Sequence, residues 1–93
     1  ILSVEEVPET DKLLRLEVDL GEEEPRQIVS GIKTYFEDMQ ELVGKKCTFV
    51  ANLEPRTIRG LESQGMIMAV SDEEGNFSLL EPNDTIKPGT RIT

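Results

Sequence analysis

The chain has 93 residues, of which 31% are charged and 37% apolar, with one cysteine, no histidine and a net charge of −9. Those counts exclude a Ser-His-Asp or Cys-His nucleophile, an internal disulfide and the usual structural zinc site. No apolar run approaches the roughly 18 residues of a membrane span, and no signal-peptide pattern opens the chain. A single soluble domain over 1–93 in the reducing cytoplasm is expected, with no membrane partner. Because the chain opens inside a strand-like pattern, ILSVEEV, it reads as part of something longer.

Ile1–Val7 alternates loosely and reads as a first strand, ended by the turn residues of VPETDKL. In Lys12–Leu20 the residues Leu14, Leu16, Val18 and Leu20 share one face against Arg15, Glu17 and Asp19, the period of a half-buried strand. Gly21–Pro25 is a turn with a solvated acidic run, and Arg26–Gly31 is the returning strand. A short helix is predicted next. Thr34 would cap it, Glu37 would complete a capping box, Tyr35, Met39 and Leu42 sit at helical spacing, and Gly44 would end it. Lys46–Asn52 follows as a strand in which Cys47 is a small buried hydrophobe, and then comes a Leu53–Pro55 turn. Gly65–Ser71 is nearly all apolar and reads as a strand buried on both faces. Asp72–Asn76 is a hairpin tip leading into FSLLEP, and NDTIKPGTRIT holds a Pro-Gly turn and a last short strand. Short strands, one helix between the third and fourth, and no βαβ alternation imply an all-β fold. The pattern is that of an OB-fold: a five-stranded antiparallel barrel over 1–71, with a C-terminal strand extension over 72–93.

The charge is unevenly spread. Residues 1–24 hold nine acids against two bases and residues 71–93 five against two, whereas residues 25–70 hold six bases against five acids. Within Gly44–Gly60, Lys45, Lys46, Arg56 and Arg59 face Glu54 alone, so a local positive face is possible on an acidic chain. GLESQG has the spacing G-x-x-S-x-G, not that of a nucleophile elbow, and Ser63 has no histidine to act as its base. Glu22–Glu24 lack the ligand spacing and glycine of an EF-hand loop. No catalytic residue, metal ligand or cofactor is expected.

There remains NLEPRTIRGLESQGM, Asn52 to Met66. Arg56 and Arg59 can meet phosphates, bidentately where the geometry allows. Asn52, Ser63 and Gln64 offer neutral donors and acceptors to sugar hydroxyls or base edges, and Met66 offers a soft apolar surface. Composition and spacing leave two readings open: a plain loop feeding a buried strand, or a rim that grips nucleic acid. The chain has three Phe and one Tyr, none in this stretch, so the second reading favours a structured RNA met by shape over a single strand met by stacking.

ETDKLLRLEVDLGEEEPRQIVSGI, LVGKKCTFVANLEPRTIRGLESQGMIMA and LLEPNDTIKPGTRI resemble the tRNA-binding domain appended to methionyl-tRNA synthetases. The same domain occurs as a free-standing homodimeric tRNA-binding protein and in the endothelial monocyte-activating polypeptide, and a related copy lies in the β-subunit of bacterial phenylalanyl-tRNA synthetase. The resemblance runs from about Val4 to Ile92 and follows the family's motif order. It implies an OB-fold that grips tRNA largely by shape and raises the tRNA affinity of a synthetase core, in the same or a separate chain. Carried over by position, the tRNA contacts are Lys12, Ser30, Lys33, Asn52, Arg56, Arg59, Ser63, Gln64 and Met66. Lys33, Lys45 and Lys46 stand equally as solvated surface, and Gly31, Gly60 and Gly65 as backbone requirements. The resemblance also implies that Phe77, Leu79, Leu80, Ile86 and Ile92 seal the barrel and meet a second copy. Where the family commonly has HPNADKL this chain has VPETDKL, which puts the contribution of the Lys12 turn in question. A small secretion chaperone shares the homodimeric barrel and is the rival reading, alongside a free-standing tRNA-binding protein.

Overall fold

The segment with the cleanest alternation becomes the centre of the largest sheet. In a computed structural model, which describes residues 1–92, β2 (Leu14–Val18) lies between β1 (Ser3–Glu6) and β3 (Arg26–Ser30), antiparallel to both. Directly opposed residues share a face, so the register Val4↔Leu16↔Ile28 lays one apolar row across three strands. Leu14, Leu16 and Ile28 are fully buried, whereas Arg15 lies on the outer face and pairs with Glu5, its cross-strand neighbour. Ile32, Leu42, Ile67 and Leu79 complete the core from later elements.

Three two-stranded antiparallel sheets follow among the described residues. β4 (Phe49–Val50) pairs with β7 (Met66–Ile67), β5 (Arg56–Ile58) with β6 (Leu61–Ser63), and β8 (Ala69–Ser71) with β9 (Phe77–Leu79). Single backbone hydrogen bonds stitch them together: Met68 N–H to Thr48 O at 2.9 Å, Thr48 N–H to Leu80 O at 2.9 Å, and Gln64 N–H to Gln27 O at 2.8 Å. The chain is all-β, as the strand-rich reading expects, and among the described residues no helix is long and apolar enough to cross a membrane.

The helix expected from Thr34 to Gly44 is replaced by two 3₁₀ turns, Lys33–Tyr35 and Met39–Leu42. Thr34 lies inside the first turn and caps nothing. Asp38 takes the capping role, its side chain accepting from Gln40 N–H at 3.0 Å. Adjacent residues of a helix do not face one target, yet both Tyr35 and Phe36 pack on Phe77. Tyr35 stacks on it at 3.9 Å between ring centroids and Phe36 meets its edge at 5.9 Å. Phe36 reaches that edge by taking an extended backbone, φ −127° and ψ 129°, which interrupts the helix. Gly44 does close the segment, at φ +87°.

Gly65–Ser71 is also corrected. It is not one strand buried on both faces but two, because the chain changes partner from β4 to β9 at Met68. One face of the run stays open to solvent. Ile67 is buried, while Met66 and Val70 are more than half exposed. The Asp72–Asn76 tip is a turn as expected. The Asp72 carboxylate accepts from the Glu74 and Asn76 N–H groups and from the Asn76 side chain, which holds its pKa below the usual range.

Residues 83–92 form no strand; they make two turns, closed by Ile86 N–H to Asn83 O and Thr90 N–H to Lys87 O. Thr93, the end of the expected last strand, lies outside the described residues. The tail is fastened by its turns instead: Lys45 pairs with Glu81, and Lys46 Nζ donates to Asp84 O at 2.6 Å. At Gly89, φ is +86°, and an added Cβ would fall 2.7 Å from Gly21 Cα.

Truncating the centre of the apolar row, Leu16→Ala, is expected to cost about 2–5 kcal/mol in urea unfolding; a loss below about 1 kcal/mol would contradict a core built on that row. Gly89→Ala combines a left-handed backbone with a backbone clash, and is expected to destabilise by about 1–3 kcal/mol. Thermal melting checks it, and an unchanged Tm would mean that the tail turn does not press on Gly21.

Candidate nucleic-acid interface

The stretch read from sequence as a turn and a loop folds into a hairpin of its own. β5 and β6 pair in the register Arg56↔Ser63, Thr57↔Glu62 and Ile58↔Leu61, and Arg59-Gly60 forms a two-residue loop. Both loop residues have positive φ, +51° and +80°, the signature of a type I′ turn. Gly60 takes that conformation freely, but an arginine rarely does, since Asn, Asp and Gly are the usual occupants. The hairpin thus holds Arg59 exposed at its tip at a conformational cost. An Asn-Gly pair would have signalled the turn; Arg-Gly does not, which is why the hairpin was not legible.

Ser63 and Gln64 fasten this hairpin to β3. The Ser63 hydroxyl is buried, accepts from Val29 N–H at 3.0 Å and donates to Gly65 O at 3.1 Å. Gln64 Oε1 accepts from Gln27 N–H at 2.9 Å, and Gln27 Nε2 donates to Glu62 O at 2.8 Å. Ser63, expected as an RNA contact, has its hydroxyl committed inside the protein, and Gln64 has its carbonyl oxygen committed likewise. Gly65 is required by close approach, because an added Cβ would lie 2.8 Å from Val50 O and 3.3 Å from Ile28 Cδ1.

Above this seam lies a cleft of about 220 Å³, lined among others by Ser30, Arg56, Ile58, Ser63 and Met66. Four of the residues expected from sequence therefore converge there. Ile58 was missed, and with the half-exposed Met66 it supplies an apolar floor beside Arg56. Asn52 is exposed at the foot of the hairpin and Arg59 at its tip, both outside the cleft. Lys12 and Lys33 lie apart from the cleft lining and are joined to each other by Lys33 N–H to Lys12 O at 3.0 Å. Lys33 Nζ is 3.2 Å from Glu6 Oε1, which diverts its charge.

Among the described residues five of the ten basic side chains are engaged within the chain, and Lys12, Lys87, Arg91 and the two hairpin arginines are not. Arg15, Arg26, Lys33 and Lys45 each pair with a carboxylate, and Lys46 binds a carbonyl. Among the described residues Arg56 and Arg59 form no ion pair and are exposed. A second, open hollow of about 620 Å³ behind the hairpin is lined by Glu22, Glu23 and Glu24 with Arg26, Ala51 and Gln64, and its acidity does not suit an anion. Cys47 is half-buried, and burial together with Glu81 pushes its thiol pKa up, so it is a weak nucleophile.

Of the residues expected at an interface between copies, Leu79 is buried in the core and Phe77 is stacked under Tyr35, so both are largely used within the chain. Leu80 is half-buried. Ile86 and Ile92 are exposed and remain available.

Comparison with known proteins shows the family. Residues 1–91 match the family described as "Putative tRNA binding domain". The chain is 48% identical over 92 residues to the methionine–tRNA ligase of Methanocaldococcus jannaschii and 46% identical over 93 residues to that of Lactococcus lactis. Each alignment covers 99% of this chain but 14% of the ligase, so the chain spans about one seventh of the length of these relatives. Among solved structures it superposes on a MetRS-related protein from Pyrococcus horikoshii with a TM-score of 0.86 and 39% identity, covering 97% of this chain and 81% of that one. It superposes on the chaperone CsaA of Bacillus anthracis with a TM-score of 0.82 and 29% identity, covering 99% and 83%. These matches run over the hairpin, the cleft and the core alike, and the chain belongs to the tRNA-binding domain family that also occurs in methionine–tRNA ligases.

Proposed function

We propose that this chain is a noncatalytic module that grips tRNA by its shape and backbone and raises the tRNA affinity of a methionyl-tRNA synthetase core in the cytoplasm. The observation that carries the reading is the pair Arg56 and Arg59. In a chain of net charge −9 the other basic groups of the middle segment are spent on internal partners, while these two stand unpaired among the described residues on one hairpin. Paired phosphates along an RNA strand suit such a couple of guanidinium groups, and the exposed Met66 with the half-buried Ile58 suits the sugar and base surface between them. Asn52 and Ser30 supply neutral hydrogen-bonding groups at the margins, with Lys12 and Lys33 as outlying contacts. Ser63 and Gln64 act as the fastening of the hairpin and not as contacts.

The same reading takes the four stitched sheets as a single OB-type barrel with 72–93 as an extension, and a second copy as partner through Ile86 and Ile92. A peptide-binding chaperone is the second reading; it is favoured by the likeness to CsaA and by the net charge of −9.

Filter binding of unfractionated tRNA across a salt series tests the assignment. Arg59→Asn removes the charge yet suits the left-handed turn, and is expected to weaken binding several-fold and to lower the salt slope by about one. An unchanged slope and affinity in that variant would remove Arg59 from the interface. Retention of an unfolded peptide with no retention of tRNA even at about 50 mM salt would favour the chaperone instead.

A further inference from the structure

Arg26 opens β3 and spends its guanidinium inside the protein. Its Nε and Nη2 donate to the two carboxylate oxygens of Glu22 at 2.7 and 2.9 Å, and its Nη1 donates to Ala51 O at 2.6 Å and to Gln64 O at 2.9 Å. Four of its five N–H groups therefore have acceptors. The two carbonyls stand on either side of one excursion of the chain, residues 52–63, which carries Asn52, Arg56 and Arg59. The β4–β7 pairing ends at Val50↔Met66, and no backbone hydrogen bond among the described residues joins Ala51 to Gln64. One side chain thus closes the neck of the excursion.

We infer that Arg26, held by Glu22, is the positioning residue of the RNA-binding hairpin: it fixes the neck so that Arg56 and Arg59 are presented as a rigid pair. The inference rests on the tRNA reading for its ligand. A planar fork is needed, because Nη1 must reach two carbonyls while Nε and Nη2 meet both oxygens of one carboxylate. The compact ammonium of a lysine cannot hold that arrangement. Glu22 also neutralises Arg26, so Arg26 is not itself a phosphate site. The hydrogen bond from Arg26 keeps the Glu22 carboxyl below its usual range, which leaves the pair ionised at neutral pH. This gives one member of the acidic turn Glu22–Glu24 a specific task, while Glu23 forms no hydrogen bond or ion pair among the described residues.

Glu22→Gln and Glu23→Gln remove the same negative charge from adjacent positions, so simple electrostatics expects both to bind tRNA slightly more tightly. Positioning expects the opposite for Glu22→Gln alone: about fivefold weaker binding, from lost preorganisation, with an unchanged salt slope because no phosphate contact is lost. In amide NMR spectra of the RNA-free protein, the Asn52 and Gly65 resonances, each next to a clamped carbonyl, are expected to move in Glu22→Gln and to stay in Glu23→Gln. Arg26→Lys, which keeps the charge and loses the fork, is expected to weaken binding at least as much. Binding by Glu22→Gln as tight as the parent's with both amides unmoved would overturn the inference, and so would parent-like binding by Arg26→Lys. A parent chain that retains no tRNA would sink the tRNA reading itself, while the amide shifts would still decide whether Glu22 and Arg26 hold the neck.

Discussion

The edge of β3 that faces away from β2 is closed by two side-chain acceptors and one backbone hydrogen bond. Val29 N–H bonds to the Ser63 hydroxyl, Gln27 N–H bonds to Gln64 Oε1, and Gln64 N–H returns to Gln27 O. Alternate residues of a strand offer their N–H groups to opposite edges, so β3 serves β2 on one side and the hairpin on the other. Leaving those N–H groups unpaired in a partly buried seam would cost about 1–3 kcal/mol each. That cost locates the hairpin, the cleft and the change of partner after β7. The core depends on the same strand, because Ile28 lies beneath the seam, in the apolar row of β1, β2 and β3.

A family that meets RNA and a chain with nearly two acids for every base are reconciled by where the cations are spent. Lys45 and Lys46 fasten the tail, Arg15 and Arg26 fasten strands, and Lys33 faces Glu6. Net charge describes the long-range field, which salt screens over about 8–10 Å. Contact between molecules depends on the charges that remain uncompensated: Arg56 and Arg59 form no ion pair among the described residues and share one hairpin, while Lys12, Lys87 and Arg91 are likewise unpaired but lie elsewhere.

The aromatic residues show why local patterns failed between Ile32 and Gly44. Thr34, Glu37 and Gly44 have the right spacing for a capped helix, but a 10-residue helix is marginal on its own and packing decides its fate. Here Phe77, from a strand more than 40 positions later, draws in both Tyr35 and Phe36, and only an extended residue lets neighbours meet one ring. In the same way the apolar run after Gly65 looked doubly buried because hydrophobicity reports preference, not coverage. Among the described residues no later element covers Met66 and Val70, and both stay half in water.

What the sequence by itself determined was the alternation of β2, the turns at Gly21–Pro25 and Asp72–Asn76, the place of the arginines and, through motif order, the family. These are local properties, or properties of the order of residues, and need no partner to be expressed. Only the tertiary structure decided that the Ser63 hydroxyl and the Gln64 side-chain oxygen bond within the chain, that Lys33, Lys45 and Lys46 are engaged while Arg56 and Arg59 form no ion pair among the described residues, and that Arg26 bonds carbonyls 25 and 38 positions away. Each of those roles depends on which atom lies within about 3 Å of a donor. That distance is set by how distant strands pack, and residue order does not state it.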